Sequence, residues 1–144
     1  MSAAGEEHTA LLQAWVTGFW RDCFPGDHVT PEQSLERAER LIREGRAYLW
    51  SSSGGEPVSM AAVVRESPNT TSISGVYTPP QHRGQGYAGR VVAALSQAQL
   101  DAGKRACNLH TDLSNPTSNE LYVRLGYRRL SVGIRATLLS KLEA

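Results

Sequence analysis

Apolar residues recur in two rhythms along this chain, and the switches between them mark out helices and strands. Leu12, Trp15, Val16, Phe19 and Trp20 fall at helical spacing and predict an amphipathic helix over roughly His8–Arg21. Phe24-Pro25-Gly26-Asp27 breaks it. The next helix is announced by its ends. Thr30 is a good N-cap, Pro31 suits the first helical position, and Gln33 completes a capping box. Leu35, Ala38, Leu41 and Ile42 supply one apolar face, and Gly45 stops the helix.

From there the pattern is that of strands. Ala47–Ser51 is a short apolar run closed by the turn signal Ser53-Gly54-Gly55; Val58–Arg65 follows, then a turn at Ser67-Pro68-Asn69 and a third strand over Thr71–Thr78, ended by Pro79-Pro80. The connections are too short for parallel crossovers, so these three predict an antiparallel meander. Ala88, Val91, Val92, Leu95, Ala98 and Ala102 restore the helical period over Tyr87–Ala102, with Gly103 as the stop. Arg105–Thr111 reads as a strand. Asn115 caps another helix with Pro116 at its first position and Gly126 after its end. Tyr127–Leu130 and Ile134–Leu139 read as the last strand segments, although Ala136–Leu142 also fits a helix. The order ααβββαβαβ predicts a mixed α/β fold in which the strand–helix–strand unit around Tyr87–Ala102 is parallel.

Composition narrows the classes. The 144 residues fit one domain with one real core, and 40% hydrophobic with 20% charged residues is the balance of an ordinary soluble protein. A formal net charge of +1 points to neither nucleic acid nor an anionic membrane, so an anionic ligand must be held by a local arrangement. No apolar run approaches the ~20 residues that span a bilayer. Cys23 and Cys107 form no CxxC pair and read as reduced thiols or packing residues. With no signal-peptide pattern in Met1–His8, a cytoplasmic location is expected. Met1–Glu7 reads as a frayed tail.

One local arrangement stands out. Gln81-His82-Arg83-Gly84-Gln85-Gly86-Tyr87-Ala88 lies between a strand and a helix. Two glycines allow a tight turn with converging N–H groups, and the following helix adds its unpaired N-terminal N–H groups and positive dipole end. Together they suit a pyrophosphate, to which Arg83 can add charge-assisted bonds. Gly84, Gly86 and Gly89 also match G-x-G-x-x-G, the dinucleotide fingerprint. The context is wrong for it: the loop follows a meander, and Leu100-Asp101-Ala102-Gly103 is a helix end where an acidic strand end belongs.

Val76-Tyr77-Thr78-Pro79-Pro80 and the loop after it resemble the acetyl-CoA signature of the GNAT superfamily, Gln/Arg-x-x-Gly-x-Gly/Ala. Thr111-Asp112-Leu113-Ser114-Asn115-Pro116-Thr117-Ser118-Asn119-Glu120-Leu121-Tyr122-Val123-Arg124-Leu125-Gly126-Tyr127-Arg128 resembles its second signature, and the two come in the family's order and separation. The resemblance implies a GNAT-like fold, a central mixed and mostly antiparallel sheet flanked by helices, and an acetyl-CoA-dependent N-acetyltransferase that transfers directly, without an acyl-enzyme and without a metal. It further implies that backbone groups of Val76, Tyr77 and Thr78 bond the pantetheine and polarise the thioester carbonyl. Backbone N–H groups of Arg83, Gly84, Gln85, Gly86, Tyr87 and Ala88 would hold the pyrophosphate. Asn115 and Asn119 would contact the cofactor, and Tyr122 would serve the departing thiolate.

Read on their own, Asn115, Asn119 and Tyr122 are spaced i, i+4, i+7 and share one helix face, with Leu121 and Leu125 on the neighbouring face. A phenol near pKa ~10 is a weaker acid than a thiol near ~8.5, so Tyr122 would act more by hydrogen bonding than by full proton transfer. Glu66, His82, His110 and Asp112 are candidate bases, none singled out. Trp15, Phe19 and Trp20 fit core packing or an acceptor pocket, and Cys107 fits packing rather than nucleophilic attack. The family's first strand is not evident in the short, polar Met1–His8. The sheet is therefore expected to lack it, because the chain is part of a longer protein or because a partner subunit completes the sheet. The resemblance implies a small-molecule or peptide amine as acceptor; no nucleic acid or membrane partner is expected, and a homodimer is compatible. The competing reading is a non-catalytic acyl-CoA-binding or regulatory module.

Overall fold

The structure is a computed structural model that describes the backbone of residues 1–112, 116–131 and 135–141, and the side chains of residues 1–109 and 120–127. It divides into two compact units. The first is Met1–Ala62 with Gly75–Val91; the second is Val63–Ser74 with the described residues from Val92 onward.

In the first unit, α1 (Thr9–Cys23) and α2 (Pro31–Arg43) precede the strands β2 (Ala47–Ser51) and β3 (Pro57–Glu66). The start of α2 is as the sequence predicts. Thr30 Oγ1 accepts from the Gln33 N–H at 3.1 Å while Gln33 Oε1 accepts from the Thr30 N–H at 2.9 Å, so two otherwise orphaned donors are satisfied reciprocally. β2 and β3 pair antiparallel, Ala47 opposite Ala62. The expected gap in the sheet is filled. Ser2–Ala3 form a two-residue strand, β1, antiparallel to β2 with Ser2 opposite Leu49, and Glu6–His8 form a 3-10 turn. The start of the chain is therefore paired where the sequence reads as frayed.

Leu12, Trp15 and Val16 of α1, Ala38 of α2, Ala47, Leu49 and Met60 of the strands and Tyr77 form one buried cluster, with Phe19 and Trp20 packed half-buried against it. Gly18 of α1 is buried because the Tyr77 ring lies on it: a Cβ built there would meet Tyr77 Cζ at 2.6 Å. Overpacking of this kind costs about 1–3 kcal/mol, and Gly18→Ala is therefore expected to destabilise the fold by up to about 2 kcal/mol net. The difference from the overpacking cost is the ~1 kcal/mol that alanine gains over glycine in a helix. A melting temperature unchanged or raised would show that the ring yields.

The second unit holds the end of β3, the β3–β4 hairpin, most of β4 (Thr70–Tyr77) and most of α3 (Tyr87–Asp101), then β5 (Ala106–Asp112), α4 (Pro116–Arg124), β6 (Arg128–Ser131) and β7 (Arg135–Lys141). β4 and β5 run parallel from Thr70↔Ala106 to Ile73↔Leu109, as the strand–helix–strand order predicts. β5 pairs antiparallel with β7, and β7 with β6. The last segment is thus strand rather than helix. Side chains add to these contacts: Thr71 Oγ1 of β4 donates to Gln99 Oε1 of α3 at 3.0 Å, Ser72 Oγ donates to Asn108 Oδ1 on the neighbouring strand at 2.6 Å, and Ser96 Oγ of α3 and the Tyr127 hydroxyl lie 2.6 Å apart.

Candidate functional site

The end of β4 and the turn after it are built from backbone more than from side chains. Gly75 takes φ +62° inside β4, a left-handed conformation that interrupts the pleat. The ladder with β5 ends at Ile73↔Leu109, whereas β4 itself runs to Tyr77, so its last peptide groups lie outside the parallel pairing. Pro80–His82 then form one 3-10 turn, in which the Arg83 N–H donates to the Pro80 carbonyl at 3.3 Å.

Gly84 and Gly86 follow with φ +80° and +82°, and α3 begins at Tyr87. Only glycine adopts these angles routinely, and a Cβ built at either position would meet no protein atom within 4 Å. The constraint is conformational, and the space beside the main chain is open to a ligand. Among the described residues, no backbone or side-chain acceptor takes the N–H groups of Gly84, Gln85, Gly86, Tyr87 or Ala88; the helical ladder is entered by the Arg90 N–H, which donates to the Gly86 carbonyl at 3.1 Å. Five consecutive donors at the positive end of a 15-residue helix form an arrangement suited to an anion. The group that the loop was expected to hold, a pyrophosphate, fits this donor set.

The Arg83 side chain is turned elsewhere. Its Nε donates to the Thr78 carbonyl at 2.8 Å, and its Nη2 to Asp22 Oδ2 of α1 at 2.8 Å. Its guanidinium lies 5.7 Å over the Tyr77 ring. Two of its donors are therefore spent on the protein, and the charge is shared with Asp22. Tyr77 is buried, and its ring lies 6.3 Å from that of Trp15; Val76 and Thr78 are half-buried. Ser59, wholly buried in β3, donates from Oγ to the Tyr77 carbonyl at 3.1 Å and lies 2.8 Å from Thr78 Oγ1. Sequence reasoning missed Ser59 and Asp22. The only signal for Ser59 is a lone hydroxyl in the apolar run Val58–Val63, which must find a partner once buried.

Tyr122 belongs to the second unit. α4 ends in a Schellman motif at Gly126, φ +106°: the Tyr127 N–H donates to the Tyr122 carbonyl and the Gly126 N–H to that of Val123, at 3.1 and 3.0 Å. The motif brings the two rings together, 6.3 Å apart and edge to face. Tyr122 is consequently buried while Leu121 and Leu125 are only half-buried, the reverse of a simple apolar-face reading. Asn115 lies outside the described residues, as do the side chains of Asn119, His110 and Asp112. Of the other candidate bases, Glu66 faces Lys104 at 3.9 Å and His82 faces Glu56 at 3.7 Å.

Cys107 is fully buried, and burial pushes its thiol up to about 11, so it carries little thiolate near neutrality. Burial likewise raises Tyr127, which stays protonated against Ser96. A Cys107→Ala protein is expected to keep its turnover and to lose about 1 kcal/mol of stability from the small void. Loss of turnover in a folded variant would point to a covalent thioester on Cys107. Among the described residues, no three His, Cys, Asp or Glu side chains gather as a metal site needs, and no helix is long and apolar enough to cross a membrane.

Comparison with known proteins gives one family and one fold. The family model described as FR47-like protein matches residues 52–136, more than half of the chain. A Bacillus subtilis (strain 168) protein named uncharacterized N-acetyltransferase YycN is 29% identical over 126 residues, 88% of this chain and 73% of its own. Among solved structures, yncA of Salmonella typhimurium, a putative acetyltransferase with its cofactor acetyl-CoA, aligns with TM-score 0.77 at 17% identity, over 98% of this chain and 92% of that one. Spermidine N-acetyltransferase of Vibrio cholerae in complex with CoA and spermine aligns with TM-score 0.76 at 11% identity, over 95% and 90%. At such identities the structural likeness speaks for the fold.

Proposed function

The chain belongs to the FR47-like protein family and, with both signatures of that superfamily in order, to the GNAT acetyltransferases; from this premise we propose that it is an acetyl-CoA-dependent N-acetyltransferase that moves an acetyl group directly to an amine. The observation that carries the reading is the run of unclaimed N–H donors from Gly84 to Ala88, set by two left-handed glycines at the start of α3. That donor set suits a pyrophosphate and needs no help from net charge.

Acetyl-CoA supplies an activated thioester. The chain supplies the rest. The loop binds the diphosphate through its backbone, and the last peptide groups of β4 bond the pantetheine arm. A backbone N–H there holds the thioester oxygen as negative charge builds on it, a contribution of several kcal/mol in comparable sites. Asn119 and Asn115 steady the bound cofactor, and the Tyr122 hydroxyl hydrogen-bonds the departing sulfur. The buried Cys107 takes no part.

The acceptor is an amine of a small molecule or a peptide; spermidine and spermine, named with the Vibrio cholerae neighbour, are the first to try. We place the protein in the cytoplasm, acting without nucleic acid or membrane, and a homodimer is compatible with the reading. The test is CoA release, followed with a thiol reagent, from acetyl-CoA incubated with the protein and a pooled panel of amines. Release dependent on one amine establishes the activity and its acceptor class. No release from a protein that still binds acetyl-CoA in the calorimeter would favour a non-catalytic binding module.

A further inference from the structure

We propose that Ser59 and the Asp22–Arg83 pair are positioning residues that clamp the backbone on both sides of Thr78 at the end of β4 and thereby aim the Thr78 N–H at the acyl-CoA; the inference rests on the acetyltransferase reading above. The peptide unit is planar, so fixing a carbonyl fixes the N–H of the following residue. Ser59 Oγ donates to the Tyr77 carbonyl at 3.1 Å, which sets the plane carrying the Thr78 N–H. A hydroxyl has one hydrogen, so with that hydrogen spent, the 2.8 Å contact between Ser59 Oγ and Thr78 Oγ1 is donated by Thr78. The chain Thr78 hydroxyl to Ser59 hydroxyl to Tyr77 carbonyl leaves no rotor free.

The next plane ends at Pro79 and so carries no N–H, but holding it from the other side fixes the backbone on the far side of Thr78. Arg83 Nε donates to the Thr78 carbonyl at 2.8 Å, closing the segment between strand and loop, and Asp22 of α1 holds the same guanidinium through Nη2 at 2.8 Å. Two donors in a fixed planar fork do this; a lysine ammonium cannot reproduce it. Tyr77 is fixed as well, by Trp15 and by the absence of a side chain at Gly18. The Asp22 and Arg83 side chains are 45% and 49% exposed, and so exposed an ion pair contributes little to stability. Its effect should appear in ligand geometry instead.

The experiment compares wild type, Ser59→Ala, Asp22→Ala, Asp22→Glu and Arg83→Lys by CoA calorimetry, acetyl-CoA kinetics and melting temperature. Ser59→Ala is expected to lower kcat about tenfold, and Asp22→Ala and Arg83→Lys to raise the acetyl-CoA KM and the CoA Kd about fivefold, one hydrogen bond's worth of alignment in each case. Asp22→Glu should recover most of the loss, with the acceptor KM unchanged throughout. Because Asp22 is exposed, its alanine variant should melt with wild type, so it remains decisive if Ser59→Ala unfolds. Wild type that binds CoA, with Asp22→Ala and every folded variant within twofold of it, would overturn the clamp alone. Wild type that binds no CoA would overturn the acetyltransferase reading and the clamp with it.

Discussion

Replacing Gly86 with aspartate is expected to abolish CoA binding while leaving the fold intact. Gly86 sits at φ +82°, in the left-handed region, with no protein atom within 4 Å of a Cβ built upon it. Asparagine and aspartate tolerate that region better than other side chains, so the backbone survives the change at a cost of about 1 kcal/mol. The new carboxylate would stand among the unclaimed N–H groups of Gly84 to Ala88, where an anion is expected to bind. It would satisfy those donors itself and repel a phosphate. Two unit charges ~4–5 Å apart interact by about 3–4 kcal/mol at an effective dielectric of 20, or several hundredfold in Kd. Gly86→Asn separates shape from charge and is expected to cost about tenfold or less. Calorimetry with CoA reads both variants. Unchanged affinity in the aspartate variant would remove the loop from the cofactor site.

The same loop shows where sequence speaks plainly and where it does not. The glycines at 84 and 86, the helix start at Tyr87 and the Thr30–Gln33 capping box are legible because each rests on residues adjacent in the chain. Local rules decide local geometry. Arg83 is the contrary case. Next to a glycine-rich turn at a helix start its charge invites assignment to an anionic ligand, yet its partner is Asp22, 61 residues away on α1. No spacing rule reaches that far. Ser59 is hidden for a related reason: its partners lie 18 and 19 residues on, across a hairpin whose register only the folded strands reveal. β1 escapes because two residues carry no periodicity, and its pairing with β2 is a tertiary fact. Tyr122 is the mixed case. The i, i+4, i+7 spacing is a local reading of the sequence, but the burial of Tyr122 goes with Tyr127, which the Schellman motif at Gly126 folds back against it.

Tyr122→Phe is expected to lower kcat about 10- to 100-fold, the range of a lost proton-bearing partner in the transition state, and to leave CoA affinity within about twofold. Phenylalanine keeps the ring, so the edge-to-face contact with Tyr127 persists and the change isolates the hydroxyl. The expected loss falls on kcat because negative charge on sulfur appears only as the bond to the acetyl group breaks; the hydroxyl's service is made in the transition state and not in the ground state. Tyr127→Phe is the control. It removes the 2.6 Å contact with Ser96 and should reduce stability by about 1 kcal/mol, the value of a buried hydrogen bond, without lowering kcat. If Tyr122→Phe turns over at the wild-type rate, the role passes to another donor. If both variants lose activity in proportion to their melting temperatures, the effect of Tyr122 is one of packing. A kcat loss confined to Tyr122→Phe, at full CoA affinity, assigns the hydroxyl to the leaving sulfur.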